Sequence, residues 1–346
     1  MKKIGICGYF AQGDQGWGGQ MVKTQTITDE LINLLGTDQV KTVDTFNWKK
    51  NMAALVFKCF ELSRTCENII ILPAQNGLKV IGPLFSNLNR FFHRKIHYIV
   101  IGGWLPGTLA DNEKLKRSIS QFDGIYVETY SMVQALNDLG LTNVKYLPNF
   151  KRLEIIETAE LVYPAEEPYQ LCTFSRVTKE KGIEEAIEAV IDVNKDLGTV
   201  AFSLDIYGQV DEGYRDRFEE IKKKFPDFVT YQGAVAANDS VKTLKNYCAL
   251  LFPTYYQGEG FAGTILDAFA SGIPVIATNW RYNAEIIHDR SDGFIYDYQN
   301  RDQLKDILKD IRKNIAGVIT MKLNCVARAK EYQPEVVIKK FIEDLK

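Results

Sequence analysis

The stretch GEGFAGTILDAFASGIPVIATN, Gly258–Asn279, sets two carboxylates eight residues apart, Glu259 and Asp267, on either side of an expected helix start. Ile265, Leu266, Phe269 and Ala270 recur at helical spacing and predict a core face, while Thr264, Asp267 and Ser271 share a polar face. Gly272 supplies the stop, and IPVIAT after it reads as a buried strand. Glu259, Gly260 and Phe261 then fall in the loop that enters the helix, where backbone N–H groups without helical partners attract anions. An anion would repel the Glu259 carboxylate, so Glu259 suits ligand hydroxyls instead. A ligand carrying both phosphate and hydroxyls fits the pairing.

The same alternation runs along the whole chain. Strands are expected at KIGIC, VKTVDTF, NIIIL, HYIVIG, DGIYV and NVKYL in the first half, and at QLCTFS, AFSLDIYG, FVTYQG, CALLFP, IPVIAT and GFIYD in the second. Amphipathic segments lie between them, such as EEAIEAVIDVN with Ile183, Ala186, Ile187, Val190 and Ile191 on one face. Short apolar strands alternating with helices predict an α/β fold of parallel sheets covered on both faces. The acidic, proline-bearing segment Glu157–Tyr169 breaks the rhythm and is the expected linker. Two doubly wound domains facing a central cleft follow, with bounds at 1–156, 157–168 for the linker and 169–333. A C-terminal helix at 334–346 is expected to pack back on the first domain. In such sheets ligands sit at the carboxyl ends of the strands.

Composition sets the class. The 346 residues are 46% hydrophobic and 25% charged, a globular balance. No apolar run approaches the roughly 18–20 residues of a membrane span, and MKKIGICGYF reads as a first strand rather than a signal peptide. Six scattered cysteines without a C-x-x-C pair suit a reducing, cytoplasmic setting and no structural zinc. Residues 1–150 hold 16 Lys and Arg against 12 Asp and Glu, and residues 151–346 hold 26 against 32. That imbalance is too small for nucleic-acid binding as a main activity.

A second candidate site lies after QLCTFS. Arg176 and Lys181 project from a strand-to-helix loop, where a bidentate guanidinium, a point charge and helix N–H groups suit a diphosphate. A third candidate is the glycine-rich GYFAQGDQGWGGQMVKTQTITDEL, where Gly16, Gly18 and Gly19 fit either close backbone approach to a ligand or a plain turn. It is not a Walker A motif, since Val22 precedes Lys23 and Thr24. His93, His97 and His288 stand in no hydrolase or metalloprotease pattern, no D-x-D pair is present, and the site is expected to work without a metal. In KVIGPLFSNLNRFFHRK, Ile81, Leu84, Phe85, Leu88 and Phe92 form a stripe that reads first as core; Phe91 with Arg90, Arg94 and Lys95 would suit an anionic membrane surface.

Together these residues resemble glycosyltransferase family 4, the retaining GT-B glycosyltransferases. The resemblance rests on Ser175, Arg176, Lys181 and Gly182, on Glu259, Gly260, Phe261, Asp267, Gly272, Pro274 and Val275, and on YLPN ending at Asn149. It implies a GT-B fold of two Rossmann-like domains, the second holding a UDP- or GDP-linked sugar donor, with no further cofactor. Arg176 and Lys181 would hold the diphosphate, Glu259 the sugar hydroxyls and Asp267 the ribose. Amides at Phe261 and Ala262, with Thr264 nearby, would contact phosphate or sugar, Gly260 would belong to the same donor-binding loop, and Gly18 and Gly19 would close over the diphosphate from the other domain. The family usually carries Glu where Asp267 stands, and the histidine many members place against the sugar has no clear counterpart, Trp104 lying nearby. The implied partners are a nucleotide sugar and a glycan or lipid-linked oligosaccharide acceptor of capsule, exopolysaccharide or O-antigen synthesis. Peripheral contact with the inner membrane face is compatible with that acceptor. The alternatives are a non-catalytic nucleotide-sugar-binding subunit and a GT-B epimerase.

Overall fold

The computed structural model describes residues 2–11 and 19–345. The strands stand where the alternation predicts them, in two six-stranded sheets whose neighbours are all parallel. The first sheet holds β1 (Lys2–Gly8), β2 (Val40–Asp44), β3 (Cys66–Leu72), β4 (Lys95–Ile99), β5 (Gly124–Val127) and β6 (Val144–Tyr146). Its helices are α1 (Gly19–Leu35), α2 (Met52–Thr65), α3 (Gln75–Phe92), α4 (Leu105–Ala110), α5 (Glu113–Ile119) and α6 (Tyr130–Asp138). The second sheet holds β7 (Tyr169–Phe174), β8 (Phe202–Tyr207), β9 (Val229–Gly233), β10 (Ala249–Phe252), β11 (Val275–Thr278) and β12 (Gly293–Tyr296). With it come α7 (Ile183–Leu197), α8 (Arg215–Lys222), α9 (Ser240–Leu244), α10 (Gly263–Ala270), α11 (Asn283–Ile286), α12 (Arg301–Lys313) and α13 (Ile315–Glu331), before a final α14 (Pro334–Asp344).

Strand order explains where each sheet opens. In the first, β2-β1-β3-β4-β5-β6, the chain reverses direction between β1 and β3; in the second, β12-β11-β10-β7-β8-β9, it reverses between β7 and β10. At such a point the two connections leave in opposite directions, and the loops beyond the carboxyl ends splay into a crevice. The glycine-rich segment follows β1. The Arg176 and Glu259 loops follow β7 and β10. Every residue of β10 and β11 is buried, as a parallel strand covered by helices on both faces requires.

The chain divides into two compact units, Met1–Arg152 with Tyr332–Lys346, and Leu153–Glu331. The second begins a few residues ahead of the expected linker because Ile156 N–H donates to the Ala270 carbonyl at 2.9 Å. Ile156 and Leu161 also pack with Val326. Gly272, at φ 62°, passes so close that a Cβ would lie 2.2 Å from Leu161 Cδ2. The helix α14 belongs to the first unit, where Phe341 is 1% exposed and meets the Tyr126 ring edge-on at 4.8 Å. Burying a side chain of that size is worth about 2–3 kcal/mol.

A buried ion pair fixes α1 to the first sheet. Lys23 Nζ reaches Glu128 Oε1 at 2.5 Å, with both side chains 3% exposed. His97, in β4, is a core residue: its ring nitrogens meet Tyr126 Oη at 3.1 Å and Asn68 Oδ1 at 3.3 Å. Burial lowers its pKa to about 4, so the imidazole is neutral.

Candidate functional site

Two loops at the switch between β7 and β10 are pressed together. Tyr255 N–H donates to the Glu180 carbonyl at 2.8 Å. Gly182, at φ 73°, sits where a Cβ would lie 2.1 Å from the Pro253 carbonyl oxygen. Only glycine fits both the left-handed backbone and that approach. Gly208, after β8, packs the same way, a Cβ there falling 1.7 Å from the Ser175 carbonyl oxygen.

This compression brings Lys181 and Glu259 together. Lys181 Nζ donates to Glu259 Oε2 at 2.5 Å, and Thr254 Oγ1 donates to the same oxygen at 2.9 Å. The pair is nearly enclosed, at 11% and 8% exposure, and Lys181 Nζ stands over the rings of Phe252 at 5.3 Å and Tyr256 at 5.2 Å. Glu259 Oε1 has no hydrogen bond among the described residues, so one carboxylate oxygen is fixed and the other unused. Thr254, which seats the carboxylate, was not anticipated from sequence; its place directly after β10 and Pro253 was the available signal.

Helix α10 starts at the carboxyl end of β7. Thr264 Oγ1 donates to the Phe174 carbonyl at 2.5 Å, tying the helix's first turn to the last residue of the strand. No side chain caps that helix at Ala262, so its leading N–H groups are not taken up by a capping oxygen. Arg176, two residues beyond Phe174, is exposed and makes no ion pair among the described residues. One strand end thus carries a cation with no ion-pair partner among the described residues and a helix N-terminus. Gly260, Phe261 and Ala262 are buried and link Glu259 to that helix.

The polar face expected on α10 is not a solvent face. Asp267 is 3% exposed and Ser271 fully buried. Asp267 Oδ1 accepts a hydrogen bond from Ser240 Oγ, on α9, at 2.8 Å, and Ser271 Oγ donates to the Asp267 carbonyl at 2.6 Å. Packing against α9 and α13 covers the face, and local hydrogen bonds satisfy it. Nothing in the sequence identified Ser240 as the partner.

Gly19 opens α1 with nothing within 4 Å of where its Cβ would lie, so packing does not require glycine there. Gly16 and Gly18 lie outside the described residues. Trp104 Nε1 donates to the Ile101 carbonyl at 2.8 Å. Beside the Thr254 loop a cavity of about 560 Å³ is lined in part by Tyr255, Tyr296, Glu185, Glu188 and Arg301. None of the expected site residues lines it, and Arg301 is already paired, at 2.5 Å to Glu188 and 3.6 Å to Glu185. Arg176 does not line this cavity and, unlike Arg301, makes no ion pair among the described residues.

The fold is that of a GT-B protein. The family description "Glycosyl transferases group 1" matches residues 159–332, half of the chain, and the chain belongs to that family. A relative, the UDP-N-acetylglucosamine--peptide N-acetylglucosaminyltransferase GtfA subunit of Streptococcus agalactiae, is 26% identical over 51% of the chain and 33% of its own length. The corresponding subunit of Streptococcus gordonii is 30% identical over 43% of the chain and 28% of its own length. The matched stretch spans about a third of these curated relatives. In structure the chain is similar to Anabaena HepE in complex with UDP, with a TM-score of 0.77, 15% identity and coverage of 100% and 99% of the two chains. It is equally similar to sucrose-phosphate synthase of Thermosynechococcus elongatus, at TM-score 0.78, 15% identity and coverage of 99% and 98%.

Proposed function

We propose that the second unit binds a UDP-linked sugar and that the protein transfers the sugar, with retention and without a metal, to a glycan or lipid-linked acceptor in bacterial polysaccharide synthesis. The observation that carries this reading is the pairing, at the end of β7, of Arg176, which makes no ion pair among the described residues, with a start of α10 that no side chain caps. Leaving-group departure builds negative charge on the diphosphate, which the Arg176 guanidinium and the oriented N–H groups at the start of α10 would stabilise. Lys181 adds a second cation while its bond to Glu259 holds the carboxylate in place. Glu259 Oε1 is then available to a sugar hydroxyl. In this reading the departing phosphate takes the acceptor proton, so no protein nucleophile is needed. The UDP-linked class is supported by the GtfA subunits, whose names specify UDP-N-acetylglucosamine, and by the HepE structure in complex with UDP.

Calorimetric titration with UDP, GDP and ADP, each with magnesium and with a chelator, tests the reading. The expected result is metal-independent binding of UDP, weakened about tenfold to a hundredfold in Arg176→Ala, the loss anticipated for charged hydrogen bonds. Because Arg176 is exposed, the variant should melt at the wild-type temperature. Unchanged UDP affinity in Arg176→Ala would remove the proposed site.

A further inference from the structure

One face of the first unit carries apolar side chains that the fold does not use. Helix α2 buries Leu55, Cys59 and Leu62 against the sheet, yet its outer side is also apolar. Met52, Val56 and Phe60 repeat every four residues along it, at 39%, 39% and 40% exposure, with Phe57 beside them at 64%. The stripe continues onto α3: Phe60 meets Phe92 edge-on at 5.3 Å, and the neighbouring Phe91 is 81% exposed. Of the α3 stripe, Ile81 and Phe85 are buried and Leu84, Leu88 and Phe92 half-buried, with Phe91 outside it.

Charge is gathered around the same face. Residues 48–67 and 84–95 together hold seven Lys and Arg against two Asp and Glu, whereas the rest of residues 1–150 hold nine against ten. The positive excess of this half therefore resides entirely in the two segments that carry the stripe. Lys49 and Lys50 precede α2, Lys58 lies on it, and Arg90 adjoins Phe91; all four are exposed. Of the two acids, Glu61 is taken up by Arg64 at 3.0 Å.

We propose that this face docks on an anionic lipid bilayer, with Phe57, Phe60 and Phe91 entering the headgroup boundary and the flanking lysines and Arg90 contacting lipid phosphates. An amphipathic surface helix with aromatic residues at its apolar centre and cations at its margins has the chemistry of interfacial binding. A nucleic-acid surface would place cations, not protruding phenylalanines, at the centre. The inference is independent of the donor reading, since none of its residues belongs to the second unit.

Co-sedimentation of the full chain with phosphatidylcholine vesicles containing about 30% phosphatidylglycerol, and with vesicles of phosphatidylcholine alone, tests it. Binding to the anionic vesicles only, falling with salt, is expected. Phe57→Ser with Phe91→Ser should weaken it at least about tenfold, and Lys49→Glu with Lys50→Glu and Lys58→Glu by more than about a hundredfold, at about fivefold or more per cation. All five positions are exposed, and unchanged melting and UDP affinity would show that fold and donor site are intact. No sedimentation with anionic vesicles, or equal sedimentation by both variants, overturns the proposal. So does sedimentation velocity showing a wild-type oligomer that the phenylalanine variant dissociates, which would make the face a contact between copies.

Discussion

Replacing the buried Lys322 by methionine isolates the energetic cost of one ionisable group. Lys322 lies on α13, fully enclosed, and donates to the Tyr247 carbonyl at 2.8 Å. Burial lowers its pKa from 10.5 to about 8, against the smaller opposing influence of the Cys248, Cys325 and Cys172 thiols. A fall of about 2.5 pH units corresponds to about 3 kcal/mol between the two protonation states. The sign follows from proton counts. Below pH 8 both folded and unfolded chains carry the proton, and the folded state bears the whole penalty. Between about 8 and 10.5 the unfolded chain still holds a proton that the folded one has released, so this group makes stability rise with pH. The buried thiols act oppositely: Cys248 is raised to about 12 and Cys172 and Cys325 are also raised. Removing Lys322 takes away a cation that lowers them, so in both proteins the folded thiols stay largely protonated over the tested range and their contribution nearly cancels in the difference. Lys322→Met also leaves the Tyr247 carbonyl unpaired, a constant offset of about 1–3 kcal/mol. Urea unfolding of both proteins from pH 7 to 10.5 should show wild-type stability gaining on the variant by about 3 kcal/mol as pH rises. A constant gap across that range would refute the reasoning.

Three further outcomes follow from the packing. Gly182→Ala forces a Cβ within 2.1 Å of the Pro253 carbonyl at a positive φ; it should cost about 2 kcal/mol or more in a thermal melt and weaken UDP binding by separating the two loops. Glu128→Ala strands Lys23 in the core and should destabilise the first unit by about 3–5 kcal/mol, whereas Lys23→Met with Glu128→Leu should recover most of that in denaturant titrations. Asp267→Glu, which installs the usual family residue, adds a methylene beside Ser240 at a site 3% exposed; a loss of about 1–2 kcal/mol is expected by calorimetry, relieved by adding Ser240→Gly.

Local pattern carried the architecture because each strand is short, apolar and set between amphipathic helices, and that periodicity survives in a single chain. The site was legible only where chemistry and position coincide. Arg176 and Lys181 lie in the segment that follows one strand, and Glu259 in the loop that precedes a helix, so a reader of sequence finds them without knowing their neighbours. What escaped was contact across distance. Thr254 and Ser240 are ordinary residues until the fold presses one against Glu259 and the other against Asp267. The burial of the Asp267–Ser271 face was hidden for the same reason: spacing separates polar from apolar but does not reveal that α9 and α13 cover both. The acidic composition around the expected linker likewise masks Ile156 and Leu161, which pack like core residues.

The return of α14 to the first unit means that this unit is assembled from two distant pieces of chain. During synthesis β1 to β6 emerge first, but Phe341, Val337 and Ile338, which complete their core, come only after all of residues 153–331. The second unit, being continuous, has every residue in hand before the first does. A fragment ending at Arg152 would leave Tyr126 and Phe150 facing water and prone to aggregate, while a fragment of the second unit lacks no segment of its own. Damage at the far end of the polypeptide is therefore felt in the half that was made first.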